Sequence, residues 1–137
     1  MEIVVDDREG NGGVLSFLQA MDGVNVTIQR LKSGDYCVDQ RAIFERKTMA
    51  DFAVSLIDGR LLGQAVRMAS GTPRPIMILE GTAANLADYG VRREALQGAL
   101  ITISVILNIP LLRSLDARET ANLIYYTGRQ LFRTAHG

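Results

Sequence analysis

Gly34-Asp35-Tyr36-Cys37-Val38-Asp39-Gln40-Arg41-Ala42-Ile43-Phe44-Glu45-Arg46-Lys47-Thr48-Met49-Ala50-Asp51 is the stretch that decides the fold. Residues 42–47 read as a short strand and 36–38 as an extended run before it. Gly34 and the polar Asp39-Gln40-Arg41 are the turn signals around them. Side chains alternate along a strand, so Ile43, Glu45 and Lys47 share one face, and Ala42, Phe44 and Arg46 the other. If the two runs pair as a hairpin, Asp35 comes close to Glu45. Two carboxylates and one lysine at the mouth of a sheet suit a hard divalent cation and a water molecule. Oxygen ligands favour Mg²⁺ or Mn²⁺ over zinc. The backbone carbonyl of Arg46, between the two charged positions, adds an oxygen donor. Asp6, at the end of the first expected strand, could add another, directly or through water. A hairpin with a solvated charged face would show the same triplet, so spacing alone leaves both readings open.

The longer string is more specific. Gly34-Asp35-Tyr36, then Glu45-Arg46-Lys47 with Asp51, then Gly59-Arg60-Leu61 with Gln64 resembles the nuclease domain of the XPF group of structure-specific endonucleases, whose signature is GD…ERKxxxD. Val5-Asp6-Asp7-Arg8-Glu9 resembles the VDxRE of that family, and Arg74-Pro75-Ile76-Met77-Ile78-Leu79-Glu80 its next core strand. The resemblance runs in order along nearly the whole chain. It implies an α/β, restriction-endonuclease-like fold: a central mixed sheet with helices on both faces. It implies a Mg²⁺- or Mn²⁺-dependent endonuclease that hydrolyses phosphodiester bonds in branched or flapped DNA, in repair or recombination. Asp35, Glu45, Lys47 and Asp6 would then be catalytic, with Asp35, Glu45, Asp6 and the Arg46 carbonyl as metal ligands. Arg8, Arg46 and Arg60 are phosphate-binding candidates, because a guanidinium fork grips two oxygens at once. Gln64 joins them by its match to the family, and Glu9 and Asp51 are supporting residues. Asp51 has a competing role at a helix start, with Thr48 as N-cap three residues before it. Arg8 and Glu9 could equally form a local ion pair. The family also implies dimerisation through this domain, as a homodimer or heterodimer. Its frequent helix-hairpin-helix domain is not expected in 1–137, which reads as a single nuclease domain.

Composition sets limits. A chain of 137 residues, 47% apolar and 22% charged, is large enough for one core and ordinary for a soluble domain. The longest apolar stretch, 99–112, is broken by Thr102, Ser104, Asn108 and Pro110, too interrupted for a membrane span. No basic n-region precedes an apolar run at the start, so no signal peptide is expected, and the lone Cys37, expected as a buried strand residue, fits an intracellular compartment. Fifteen basic and fifteen acidic residues cancel. A DNA-binding protein is often basic, so any cationic surface must be local.

Along the rest of the chain, 2–6 reads as a buried strand and 7–13 as a flexible connection, without the Gly-Lys-Ser/Thr of a phosphate loop. A helix follows from Val14 to about Met21, then a half-exposed strand over 24–31. A helix beyond Thr48 buries Met49, Phe52, Ala53, Leu56 and Ile57. Another over 61–70 turns Leu62, Ala65, Val66 and Ala69 inward. Residues 71–73 read as a loop, 76–79 as a strand buried on both faces, and 82–91 as loop or short helix. A long helix over 92–107, a strand over 111–114 and a last helix over 117–133 complete the order. Two other function classes stay open: a non-catalytic DNA-binding or scaffolding subunit with a nuclease-like fold, and a small interaction domain with a chance charged hairpin.

Overall fold

The computed structural model of the chain describes every residue except Asn11, Thr72, Pro73, Asn85 and Gly137. The expected loops over 7–13, 71–73 and 82–91 therefore lie partly outside the described residues. Six strands form one sheet: β1 (Glu2–Asp6), β2 (Asn25–Gln29), β3 (Tyr36–Val38), β4 (Ala42–Thr48), β5 (Pro75–Glu80) and β6 (Leu111–Ser114). Their spatial order is β2-β1-β3-β4-β5-β6. β3 runs antiparallel to both β1 and β4, and every other neighbouring pair is parallel. The sheet is mixed, as the family resemblance implies.

The hairpin between β3 and β4 is what places the charged stretch. Asp39 and Gln40 both take left-handed backbone angles (φ 50° and 56°), and the Arg41 N–H closes on the Val38 carbonyl at 2.9 Å. Two left-handed residues match the right-handed twist of the flanking strands. Tyr36 then lies opposite Phe44, and one step further out Asp35 falls opposite Glu45.

Helices cover both faces. On one, α1 (Val14–Gln19) and α5 (Ala117–His136) pack through Val14, Leu18, Ala121 and Ile124 on Ile3, Val5, Tyr36, Phe44 and Ile78. On the other, α2 (Met49–Ile57), α3 (Leu61–Gly71) and α4 (Arg93–Ile101) pack around Met77 and Leu79. The strand residues alternate between the two cores, so neither layer could be removed without exposing half the sheet.

Several local expectations shift. α3 buries Leu61, Ala65 and Met68, while Leu62 and Val66 are exposed, so its inward face is rotated from the expected one. Apolar residues at 61, 62, 65, 66, 68 and 69 permit more than one inward face, and docking on the sheet selects among them. Ile57, expected inside, is exposed. The long helix over 92–107 is α4 followed by a π-helical turn, Thr102–Ile106, where the Leu107 N–H reaches the Thr102 carbonyl at 2.9 Å. Thr102 and Ser104 hydroxyls bond back to the Gly98 and Leu100 carbonyls there, which competes with regular helix geometry. Cys37 is only half-buried. The expected flexible connection opens with a 3-10 turn, Asp7–Glu9. No helix among the described residues is long and apolar enough to cross a membrane.

Candidate active site

The site forms where β3 and β4 leave the hydrophobic core. Gly34, at φ 77°, adopts a conformation that side chains resist, and a Cβ there would collide with Ile43 Cγ2. Only glycine lets the chain enter the hairpin so close to β4. The Asp35 N–H then donates to the Phe44 carbonyl at 2.8 Å, and the Arg46 N–H donates to Asp35 Oδ2 at 2.8 Å. These two bonds fix Asp35 beside Glu45.

Asp35, Glu45 and Lys47 line one groove of about 400 Å³, closed on its far side by Gln64 and Arg67 of α3 over a floor that includes Met77. Lys47 Nζ donates to Gln64 Oε1 at 3.2 Å. Neither carboxylate forms an ion pair among the described residues, and the electrostatic consequence is large. Burial, then the charges of Glu45 and Glu9, push Asp35 up to about 8. Burial also raises Glu45, against the pull of Lys47. An acid pair in this state lacks positive charge, and the donors present are hard oxygens: two carboxylates and the adjacent Arg46 carbonyl. That set fits Mg²⁺ or Mn²⁺. No three acidic, histidine or cysteine side chains converge among the described residues. A cation held here would complete its shell with water and substrate oxygens, as Mg²⁺ commonly does.

Asp6 departs from the expected ligand set. Its carboxylate is wholly buried. Oδ2 accepts from the Arg8 N–H at 3.1 Å and from Arg8 Nε at 2.6 Å. Oδ1 accepts from Arg8 Nη2 at 3.1 Å and from the Leu31 N–H at 2.8 Å. A carboxylate offers about four lone-pair sites, so none is left for a metal. The Arg8 hydrogen bonds outweigh burial and hold Asp6 down at about 2. Its role is to tie Arg8 and the end of β2 beside the groove. Arg8 thus pairs with Asp6 rather than Glu9, though it still lines the groove.

Arg46 departs further. Its side chain points into the opposite layer and is only 15% exposed. Nε and Nη2 grip Glu80 at 2.8 and 2.6 Å, and Nη1 lies 3.7 Å from Glu9. Glu80 also accepts from the Thr120 hydroxyl at 2.7 Å, and Thr120 bonds Ser114. Tyr36 donates to Glu9 at 2.6 Å. Burial alone would raise Glu80, but Arg46 and Thr120 bring it below its ordinary value. Gly12 packs directly on the Arg46 guanidinium, leaving no room for a Cβ. Arg46 is therefore a structural cation here and not a phosphate contact. Glu9 stands on this side of the sheet, against Arg46 and Tyr36. The signal for Glu80 was present in the sequence: an acid ending an otherwise apolar strand, in phase with Ile76 and Ile78.

Arg60 also lies away from the groove, exposed and paired with Asp58 at 3.2 Å. Its carbonyl accepts from the Gln64 N–H, so it begins α3 through its backbone. Gln64 does reach the groove, through Lys47. Asp51 is exposed at the first turn of α2, where its N–H donates to Thr48 Oγ1 at 3.1 Å. The capping reading holds, with Thr48 as the acceptor.

A family model of the ERCC4 domain matches residues 5–127. The chain is 35% identical over 124 residues to a Methanocaldococcus jannaschii protein named provisionally as an ATP-dependent RNA helicase, covering 90% of this chain and 15% of that protein. It is 27% identical over 124 residues to the 3′-flap repair endonuclease Xpf of Saccharolobus solfataricus, covering 90% and 53%. Among solved structures, XPF from Aeropyrum pernix in complex with DNA matches with a TM-score of 0.88 at 35% identity, over 97% of this chain and 66% of that one. The chain spans about half or less of the length of these two curated relatives.

Proposed function

Since the chain belongs to the ERCC4-domain family and shares the fold of an XPF nuclease domain, we propose that it is a divalent-metal-dependent endonuclease acting on branched or flapped DNA. The observation that carries this is the acid pair: Asp35 and Glu45 face a groove together beside Lys47, without ion-pair partners among the described residues. A purely structural carboxylate pair would be expected to have cations set against it, as Glu80 has.

Asp35, Glu45 and the Arg46 carbonyl would hold Mg²⁺ or Mn²⁺, which supplies positive charge to the phosphoryl oxygens and acidifies a bound water. Arg46 is well suited to present its carbonyl. Its N–H is fixed on Asp35 and its side chain on Glu80, so the residue is held from two sides next to that carbonyl. Lys47, steadied by Gln64, orients the attacking water or donates to a non-bridging phosphate oxygen. Water adds to phosphorus as the bond to the leaving sugar oxygen breaks, and the groove keeps the partners in line.

Dimerisation through this domain belongs to the same proposal. Ile101, Val105 and Ile106 are exposed where α4 runs into the π-helical turn, a cost that a partner surface would relieve. Sedimentation of the wild type against Val105→Glu tests it, with a dimer expected only for the wild type.

The decisive experiment is a panel of duplex, flapped and branched DNA, with a matched RNA flap, incubated with Mg²⁺, Mn²⁺ or EDTA. Cleavage of the DNA branches, absent in EDTA, is expected. No cleavage of any DNA, or equal cutting in EDTA, would sink the proposal.

A further inference from the structure

The arginines that looked suited to phosphate are largely committed: Arg8 to Asp6, Arg46 to Glu80 and Arg60 to Asp58. Arg30 is bound to Asp7. Two cations in the groove are in a different state. Lys32 precedes Asp35 in the β2–β3 connection, and Arg67 lies on α3 one turn beyond Gln64. Both are exposed, both line the groove that holds Asp35, Glu45 and Lys47, and neither has a carboxylate partner among the described residues. Gly63 gives Arg67 room to lie back along α3, since a Cβ there would sit 3.5 Å from Arg67 Nη1.

We propose that Lys32 and Arg67 are the phosphate clamps of the site, holding the sugar-phosphate strand from the loop wall and the helix wall of the groove. The inference rests on the nuclease reading above and adds which residues bind the strand. The acid pair offers a DNA backbone no donor to hold it, and Lys47 is a single cation between the two walls. A cation on each wall supplies donors and sets the strand across the acid pair. Their unpaired state matters, because hydrogen bonds to a carboxylate occupy donors and offset charge that a phosphate would otherwise draw on. The clamps also reconcile a chain of zero net charge with a polyanionic partner: the positive charge is local to one groove.

The test is a salt series of binding to a fluorescent flapped duplex, read by anisotropy in EDTA so that no cleavage occurs. A side chain that neutralises one phosphate contributes about 0.9 to the slope of log K against log salt. Lys32→Ala and Arg67→Ala are each expected to reduce the slope by about one, and the double variant by about two. Arg67→Lys should restore most of it. Arg93→Ala, which removes equal charge outside the groove, should keep the wild-type slope. A double variant with the wild-type slope and affinity overturns the clamps while leaving the nuclease proposal intact, provided the wild type cuts DNA. So does an equal drop in Arg93→Ala, which would mean that only total charge counts. A wild type that neither binds nor cuts DNA overturns both proposals together.

Discussion

The two faces of β4 behave as opposites. On one, Arg46 is enclosed by Glu80, Glu9, Thr120 and Gly12, and every charge has its counter-charge. On the other, Glu45 and Asp35 stand together without ion pairs among the described residues and are held above their ordinary pKa values. The same strand thus carries a saturated network outward into one layer and an unsatisfied one into the other. The first holds shape, and the second holds chemistry. A buried charge with its partners is hard to dislodge, whereas an acid pair short of positive charge has something to gain from a ligand.

The largest expected effect comes from emptying the open face. Asp35→Ala or Glu45→Ala should reduce cleavage by on the order of a thousandfold, about 4 kcal/mol of transition-state stabilisation. Divalent-cation binding by calorimetry should vanish with it, while urea unfolding stays close to the wild type. A variant that still cuts at near the wild-type rate would erase the distinction between the faces.

Arg46→Ala attacks the closed face. It leaves Glu80 and Glu9 without their cation, and should cost about 3–5 kcal/mol in urea unfolding. Any loss of activity should track the loss of folded protein. If stability is unchanged and only DNA affinity falls, Arg46 is a phosphate contact after all.

Gly34→Ala tests the joint that sets Asp35 against β4. The left-handed backbone and the collision with Ile43 should cost roughly 1–3 kcal/mol. Cleavage should fall further than stability accounts for, because Asp35 is displaced.

A titration of stability separates the faces with the smallest expected signal. Asp35 is raised to about 8, so the folded, metal-free protein binds more protons than the unfolded chain between its ordinary pKa near 4 and about 8. Its stability should therefore decline as pH rises through that window, read as a falling Tm. Asp35→Asn should flatten the curve, apart from a smaller trend of the same sign from Glu45. Asp6 has the opposite sign. Its contribution is present above its ordinary pKa and is lost as pH falls toward about 2. A metal-free protein whose Tm does not fall from pH 4 to 8 would contradict the raised acid.

Much of this site was legible from residues 34–51, because the information there is local. Alternation along β4 separates Glu45 and Lys47 from Arg46, and the turn at 39–41 brings Asp35 back to Glu45. The inward face of α3 was less legible, since its apolar residues permit more than one and only contact with the sheet chooses. The partners of the arginines were not legible. Arg46 and Glu80 are 34 residues apart, and nothing near either names the other.

The chain alone determined that two acids and a lysine share a sheet face, because a strand has a period of two whatever surrounds it. Tertiary structure alone decided which cations are spent and which are available: Arg8, Arg46 and Arg60 are paired, whereas Lys32 and Arg67 have no carboxylate partner among the described residues. The physical reason is range. Alternation is written between neighbours, but a charge is neutralised by whatever the fold brings within a few ångströms, at any distance along the chain.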